Sequence, residues 1–142
     1  PGSELHCVDP YLNSGSQDAN KLGITTEHVS QTTKNTFLYN ISNSKWYEKI
    51  KFHNMTSEKF FKNNRHIYDI IYIDGCHEPE YIIHDITEGF KVLNSGGIVW
   101  MDDYQGNTTG RGKCSVFIDQ ALNLFKGKYN MCTTTAKGYF LF

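Results

Sequence analysis

Two apolar segments that flank one helical pattern constrain the fold of this chain more than any other feature. The first, Tyr68 to Ile73, and the second, residues 98–101, are almost entirely apolar, as strands buried on both faces are. Between them, Pro79 stands where a first helical turn tolerates proline, and apolar residues recur at helical spacing over residues 82–93. This pattern predicts a βαβ crossover with two parallel strands and a right-handed connection.

The remaining elements follow from shorter apolar runs and from turn-forming residues. Before the crossover, we predict a strand at residues 5–8, a loop at 13–23, a helix at 26–41, a strand at 49–53 and a short helix capped by Ser57. After it, we predict a loop at 105–112, a helix at 113–125 and a hairpin of residues 129–132 and 139–142 that turns at 136–138. This order is typical of an α/β fold with a mostly parallel sheet and a C-terminal antiparallel hairpin.

The length of 142 residues favours a single domain. The opening Pro1-Gly2-Ser3 is typical of what remains of an expression tag. We therefore place the domain at residues 4–142.

The composition argues against several classes of partner. A formal net charge of -1 gives no basic excess to hold a phosphate backbone, so nucleic acid is not expected. No apolar run approaches the roughly 20 residues that span a bilayer, and the first residues lack a signal-peptide pattern, so no membrane partner is expected. The four cysteines show neither a C-x-x-C pair nor a zinc-ligand spacing, which favours free thiols and a cytoplasmic location.

Acidic residues stand where the predicted parallel strands end. Asp9 follows the first strand, Asp74 follows the first strand of the crossover, and Asp102 and Asp103 follow its second. Because parallel strands direct their carboxyl ends to one edge of a sheet, we expect these side chains along that edge. Converging carboxylates repel one another unless a cation lies between them, and hard divalent cations prefer oxygen ligands. Asp74, Asp102 and Asp103 are therefore candidate ligands of Mg²⁺ or Ca²⁺.

Purely structural roles compete with this metal site. Asp74 could form the turn at Gly75 or cap the helix that begins near Pro79. Asp102 and Asp103 could simply begin the loop that follows them. The spacing alone leaves both alternatives open.

Three sequence blocks, taken together, resemble a known family. They are CVDPY at residues 7–11, YDIIYIDGCHEPEYIIHDI at 68–86 and VLNSGGIVWMDDY at 92–104. They resemble the class I S-adenosylmethionine-dependent methyltransferases, and within these the metal-dependent O-methyltransferases that include macrocin-type sugar O-methyltransferases and, more distantly, catechol O-methyltransferase. The resemblance implies a Rossmann-like methyltransferase sheet.

The resemblance also implies roles for individual residues. Asp9 would accept hydrogen bonds from the ribose of S-adenosylmethionine, and residues 54–57, which include Thr56 and Ser57, would contact its adenine. Asp74 would contact the cofactor, take part in catalysis and join Asp102 and Asp103 as a metal ligand.

The roles of His77 and of two residues in the helix after it are separate expectations. The resemblance places His77 beside the site, where it would act as a general base or orient a substrate oxygen. A loop histidine that bonds only near Asp74 is the alternative. His84 and Asp85 are expected on a solvated face of the helix.

One departure from the family pattern concerns the start of the chain. The family's glycine-rich turn after its first strand would lie before Asp9, where only eight residues stand. The sheet is therefore expected to be truncated at its N-terminus and to lack a middle strand between the strands that end at Asp9 and Asp74. We expect weak cofactor binding and self-association, most simply as a homodimer, because unpaired strand edges recruit partners. In an alternative register, residues 5–9 are themselves the first strand.

Two functions follow from these patterns. The first is metal-assisted transfer of a methyl group from S-adenosylmethionine to a hydroxyl of a small molecule or sugar. The second is a non-catalytic methyltransferase-like module, or a fragment of a larger carbohydrate-modifying protein. Substrate-contacting loops are variable, so the sequence does not name the acceptor.

Overall fold

The computed structural model describes residues 2–11, 26–108, 110–133 and 139–141. The chain divides into two compact units, residues 1–63 and 64–142, and each is described by itself. The predicted loop at residues 13–23 lies outside the described residues, and the single domain stays a prediction. No helix in the described ranges is long and apolar enough to cross a bilayer.

The first unit is built on two parallel strands. Strand β1 (Leu5–Val8) pairs with β2 (Ile50–His53) in a register that runs from Leu5 opposite Ile50 to Val8 opposite His53. Helix α1 (Thr26–Ser42) precedes β2, and a 3₁₀ turn (Tyr47–Lys49) leads into it. Helix α2 (Ser57–Asn63) follows β2. The predicted elements are thus confirmed to within one residue at each described end.

Aromatic side chains hold the first unit together. The ring centroid of Phe37 on α1 lies 5.1 Å from that of Phe52 on β2, and the ring of Tyr11 packs against both. Phe60 on α2 is buried, and its ring centroid lies 4.8 Å from that of His53. Helix α2 is capped by Thr56, whose Oγ1 accepts a hydrogen bond from the amide of Lys59 at 3.4 Å. The prediction that Ser57 caps this helix was wrong by one residue, since Ser57 is its first helical residue.

The second unit contains the predicted crossover. Strand β3 (Tyr68–Ile73), helix α3 (Pro79–Lys91) and strand β4 (Leu93–Met101) follow one another, and β3 pairs in parallel with β4 from Ile70 opposite Ile98 to Ile73 opposite Met101. Strand β4 begins five residues before the predicted one, because Tyr68 pairs with Leu93 across a register shift. Asn94 supports this irregular segment by donating a side-chain hydrogen bond to Asp69 at 2.8 Å.

The sheet of the second unit ends in the predicted hairpin. Helix α4 (Cys114–Asn123) leads to strands β5 (Met131–Thr133) and β6 (Tyr139–Leu141), which are antiparallel to each other. The strand order is β3-β4-β6-β5, and β6 is antiparallel to β4. The predicted turn at residues 136–138 lies outside the described residues. This α/β arrangement, parallel except for a C-terminal hairpin, confirms the predicted fold class.

The core of the second unit lies on one face of its sheet. Buried side chains of β4, α3 and α4 form it: Ile82, Ile86, Val99, Met101, Cys114, Ile118, Ala121 and Leu122. Because side chains alternate along a strand, Ile71 and Ile73 of β3 pack on this core while Ile70 and Tyr72 point to the other face. Ile70 is 67% exposed and Tyr72 is 57% exposed, so that face of β3 is open.

Candidate active site

A small acidic pocket lies at the carboxyl ends of β3 and β4. Its volume is about 30 Å³, enough for a water molecule or an ion. Its polar lining includes the three predicted metal ligands Asp74, Asp102 and Asp103 together with His77. Parallel pairing of the two strands brings these residues to one edge, as the sequence predicted.

Both carboxylate oxygens of Asp102 accept hydrogen bonds. One accepts the backbone amide of Asp103 at 2.8 Å, and the other accepts the hydroxyl of Tyr72 from β3 in a very short contact. The Asp102 hydrogen bond is the main cause that raises the pKa of Tyr72 to about 12, and partial burial and the nearby carboxylates add to it. Tyr72 therefore stays protonated at neutral pH and fixes the Asp102 carboxylate.

Asp103 adopts a backbone conformation that is unusual for a residue with a side chain. Its φ is 49°, in the left-handed region. The next turn holds it there, since the amide of Gly106 donates to the Asp103 carbonyl at 2.6 Å. A Cβ on Gly106 would lie 2.7 Å from that carbonyl oxygen, so this tight turn requires glycine. The conformation aims the Asp103 carboxylate at His77, whose Nε2 lies 3.2 Å from Oδ2.

Asp74 is affected by both neighbouring carboxylates. Partial burial raises its pKa first, the charges of Asp102 and Asp103 raise it further, and His77 acts in the opposite direction. The three carboxylates are thus close enough to repel one another. Among the described residues, however, no group of three or more His, Cys, Asp or Glu side chains is arranged as a site for a metal ion.

Sequence reasoning missed a fourth carboxylate of this pocket. Asp85 of α3 lines it, and the Asp85 side chain is only 13% exposed. Its Oδ1 lies 2.9 Å from Nδ1 of His84, and its Oδ2 would lie 3.2 Å from a Cβ on Gly75. The prediction of a solvated face was wrong, because Asp85 stands three residues after Ile82 and one before Ile86, beside the buried stripe of the helix. That spacing was the signal that could have found it.

The first unit brings its own predicted site residues to one edge. Asp9 follows β1 and Asn54 follows the adjacent β2, and the Asn54 amide donates to the carbonyls of Asp9 and Pro10 at 3.1 and 3.0 Å. The exposed Asp9 carboxylate accepts the amide of Tyr11 at 2.6 Å, which leaves its other oxygen for a ligand. Thr56 and Ser57 follow in the turn that begins α2.

A sheet with parallel strands, flanking helices and a C-terminal antiparallel hairpin defines the class of Rossmann-like methyltransferase folds. Residues 2–104 match a family model described as a methyltransferase domain. The match covers most of the chain, so the chain belongs to this family of methyltransferase domains.

Solved structures and one curated protein resemble the chain. A protein from Corynebacterium glutamicum aligns over 97% of this chain and 59% of its own, with a TM-score of 0.60 and 13% identity. The O-methyltransferase NovP aligns over 96% of this chain and 58% of its own, with a TM-score of 0.55 and 14% identity. An uncharacterized protein of Acanthamoeba polyphaga mimivirus is 43% identical over 37 residues, which are 26% of this chain and 17% of that protein.

These comparisons support the fold more strongly than the chemistry. At such identities, the two solved structures show the fold alone. The chain also spans less than two thirds of the length of each relative.

Proposed function

We propose that this domain takes part in methyl transfer from S-adenosylmethionine to a hydroxyl of a small molecule or sugar. The observation that carries the proposal is the acidic pocket, where Asp74, Asp102, Asp103 and His77 meet at the carboxyl ends of parallel strands. Ligands of open α/β sheets bind outside these strand ends. The family match supplies the cofactor class.

The nucleoside end of the cofactor is assigned to the first unit. Asp9 has a carboxylate oxygen suited to ribose hydroxyls, and Asn54 ties the Asp9 loop to the turn that carries Thr56 and Ser57. These groups are hydrogen-bonding partners of the kind a nucleoside needs, so the residues fit that part of the cofactor. When bound, S-adenosylmethionine supplies an electrophilic methyl group on a sulfonium sulfur. We assign Asp74 a further cofactor contact.

His77 is proposed to accept the proton of the acceptor hydroxyl. With Nε2 directed at Asp103, a neutral His77 carries its proton on that nitrogen and keeps Nδ1 as the basic atom. Nδ1 of His77 would accept the proton of the acceptor hydroxyl, whose oxygen would take the methyl group that bound S-adenosylmethionine would supply, with S-adenosylhomocysteine as the leaving group. The charge of Asp103 stabilises the imidazolium that forms. Such general base catalysis is worth about 10²-fold to 10⁴-fold in rate.

Asp74, Asp102 and Asp103 are proposed to hold a divalent cation, Mg²⁺ or Ca²⁺. Their oxygen donors suit a hard cation. Its positive charge would offset the repulsion from Asp102 and Asp103 that helps to raise the pKa of Asp74. Their oxygens now contact Tyr72, the Asp103 amide and His77, so metal binding requires some of these contacts to be exchanged. A bound metal would lower the pKa of a hydroxyl and help to orient it.

The direct test is transfer of a radiolabelled methyl group from S-adenosylmethionine to a panel of sugar and catechol hydroxyls, with and without magnesium. We expect His77→Asn to lower the rate by about 10²-fold or more. His66→Asn is the matched control, because His66 is an exposed histidine of the same unit and does not line the pocket. Transfer that survives His77→Asn unchanged would remove the assigned base.

A non-catalytic module is the second candidate. The acidic pocket, at about 30 Å³, suits an ion, so an acceptor would have to bind at its mouth. Cofactor affinity separates the two functions, because a non-catalytic module has no need to bind S-adenosylmethionine. Calorimetry with S-adenosylmethionine at millimolar concentration therefore discriminates between them.

A further inference from the structure

Two histidines face each other on the sheet of the first unit, outside the proposed methyl-transfer site. His6 lies on β1 and His53 lies at the end of β2, and the strand register makes them diagonal neighbours on one face. Nδ1 of His6 is 3.1 Å from Nε2 of His53. Their rings are stacked, with centroids 5.1 Å apart and planes 23° apart. The two nitrogens thus face each other at hydrogen-bonding distance.

The surroundings hold this pair in place. Phe60 of α2 packs against both rings, with centroids 4.8 Å from His53 and 6.3 Å from His6. The side chain of His6 is only 10% exposed, while His53 is of intermediate burial. The rings are therefore confined by packing, but solvent can approach the pair.

Glu4 contributes an orienting charge. Its carboxylate lies 3.9 Å from Nε2 of His6, on the side of the ring away from His53. A carboxylate there favours a proton on Nε2 and leaves Nδ1 of His6 as the nitrogen with a lone pair. At 3.9 Å the carboxylate acts through its charge rather than through a hydrogen bond. Lys51, 3.9 Å from the same carboxylate, partly offsets its charge.

The distance between the two nitrogens suits a bridging metal. Metal–nitrogen bonds of about 2.0 to 2.1 Å place two ligand nitrogens about 2.9 Å apart at a right angle and about 3.4 Å apart at the tetrahedral angle. The observed 3.1 Å lies between these values. A hydrogen bond between the two nitrogens also fits this distance. The distance alone is therefore compatible with either a bound metal ion or a shared proton.

We propose that His6 and His53 form a binding site for a divalent transition metal of the zinc type, with water completing the coordination. Imidazole nitrogens suit zinc, copper and nickel, whereas the oxygen donors of the acidic pocket suit magnesium or calcium. The metal would join β1 to β2 directly. With two protein donors the site is an accessory one, in keeping with the lack of any described cluster of three or more metal-binding side chains.

The test is calorimetric titration of the full chain, free of any polyhistidine tag, with zinc chloride at neutral pH. We expect one zinc ion per chain, and we expect His6→Asn and His53→Asn each to weaken binding by about tenfold or more. His28→Asn is the matched control, since His28 is an exposed histidine on α1 of the same unit, and it should leave the affinity unchanged. Glu4→Gln should weaken binding by about tenfold without abolishing it.

A second measurement protects the test against misfolded variants. Long-range nitrogen–proton NMR of the unmodified chain should show zinc-dependent shifts of Nδ1 of His6 and Nε2 of His53. Zinc binding that persists in a folded His53→Asn variant, or shifts confined to other histidines, would overturn the proposal. So would zinc binding that is lost in Asp74→Asn instead, which would assign the metal to the acidic pocket. If the chain binds no zinc, the two histidines share a proton instead, and the proposed metal site is rejected.

Discussion

The acidic pocket contains carboxylates that oppose one another in the folded chain. Burial and the charges of Asp102 and Asp103 raise the pKa of Asp74. A carboxyl group whose folded pKa is raised binds its proton more tightly in the folded state, so stability falls as pH rises from the unfolded pKa through the folded pKa. At neutral pH, ionised Asp74 is therefore unfavourable for folding.

We expect Asp74→Asn to stabilise the metal-free chain at neutral pH. The gain should be about 0.5 kcal/mol, because solvent screens a partly exposed group. The advantage should vanish in acid, below the ordinary pKa of an aspartate. Urea denaturation across this pH range measures it, with Glu48→Gln, an exposed carboxylate of the first unit, as the control. Destabilisation by Asp74→Asn at neutral pH would contradict the account.

Tyr72 offers a second test at this scale. Its pKa of about 12 lies above the ordinary value of about 10 for a tyrosine, mainly because its hydroxyl donates to Asp102. This raised pKa gives stability that is complete below pH 10 and is lost as pH rises through about 12. Tyrosinate absorbance should therefore show a late titration step near pH 12 that is lost in Tyr72→Phe. Tyr39→Phe, on α1, should keep that late step, and its loss there would refute the assignment.

The irregular start of β4 is the element that sequence reasoning placed least well. The predicted strand covers residues 98–101, whereas β4 begins at Leu93 and contains Gly96 and Gly97 next to a register shift. Gly96 has a φ of +80°, and no heavy atom lies within 4 Å of a Cβ built there. Its requirement for glycine is thus one of conformation rather than of space.

Gly96→Ala should destabilise the chain by about 1 to 2 kcal/mol, because a side chain in the left-handed region is strained. Urea denaturation measures this loss. Ser95→Ala, at the neighbouring exposed position, should change stability by less than about 0.5 kcal/mol. Equal effects of the two substitutions would show that the conformation of Gly96 carries no special cost.

The predictable parts of this fold are those with local signals. The helix spacing after Pro79 and the apolar residues of β3 were enough to predict the crossover, and the acidic strand ends predicted the lining of the pocket. The register shift between β3 and β4 depends on pairing between distant segments, so no local sequence pattern predicts it. The contact of Tyr72 with Asp102 and that of Asp103 with His77 depend in the same way on how strand ends meet.

At the scale of the whole molecule, the open side of β3 bears on association. Among the described strands β3 pairs only with β4, and Ile70 and Tyr72 are largely exposed. An apolar strand with an unpaired edge favours association with another chain. We keep the prediction of a homodimer on this basis.

Sedimentation velocity over a range of concentrations tests this association. We expect the mass to rise toward that of a dimer, and Ile70→Lys to restore the monomer because a charge on an open strand face opposes pairing. Val116→Lys is the control, since Val116 is 58% exposed on α4. A strict monomer at every concentration would remove the homodimer.

The measurement that tests the central claim most directly is an amide NMR titration of the full chain with S-adenosylmethionine. The account predicts weak binding, with shifts concentrated at Asp9, at residues 54–57 and around Asp74. Asp9→Asn should reduce these shifts, while Glu58→Gln, which removes an exposed charge on α2, should not. The absence of shifts at millimolar cofactor, or shifts that map to other parts of the chain, would contradict the assignment of this domain to methyl transfer.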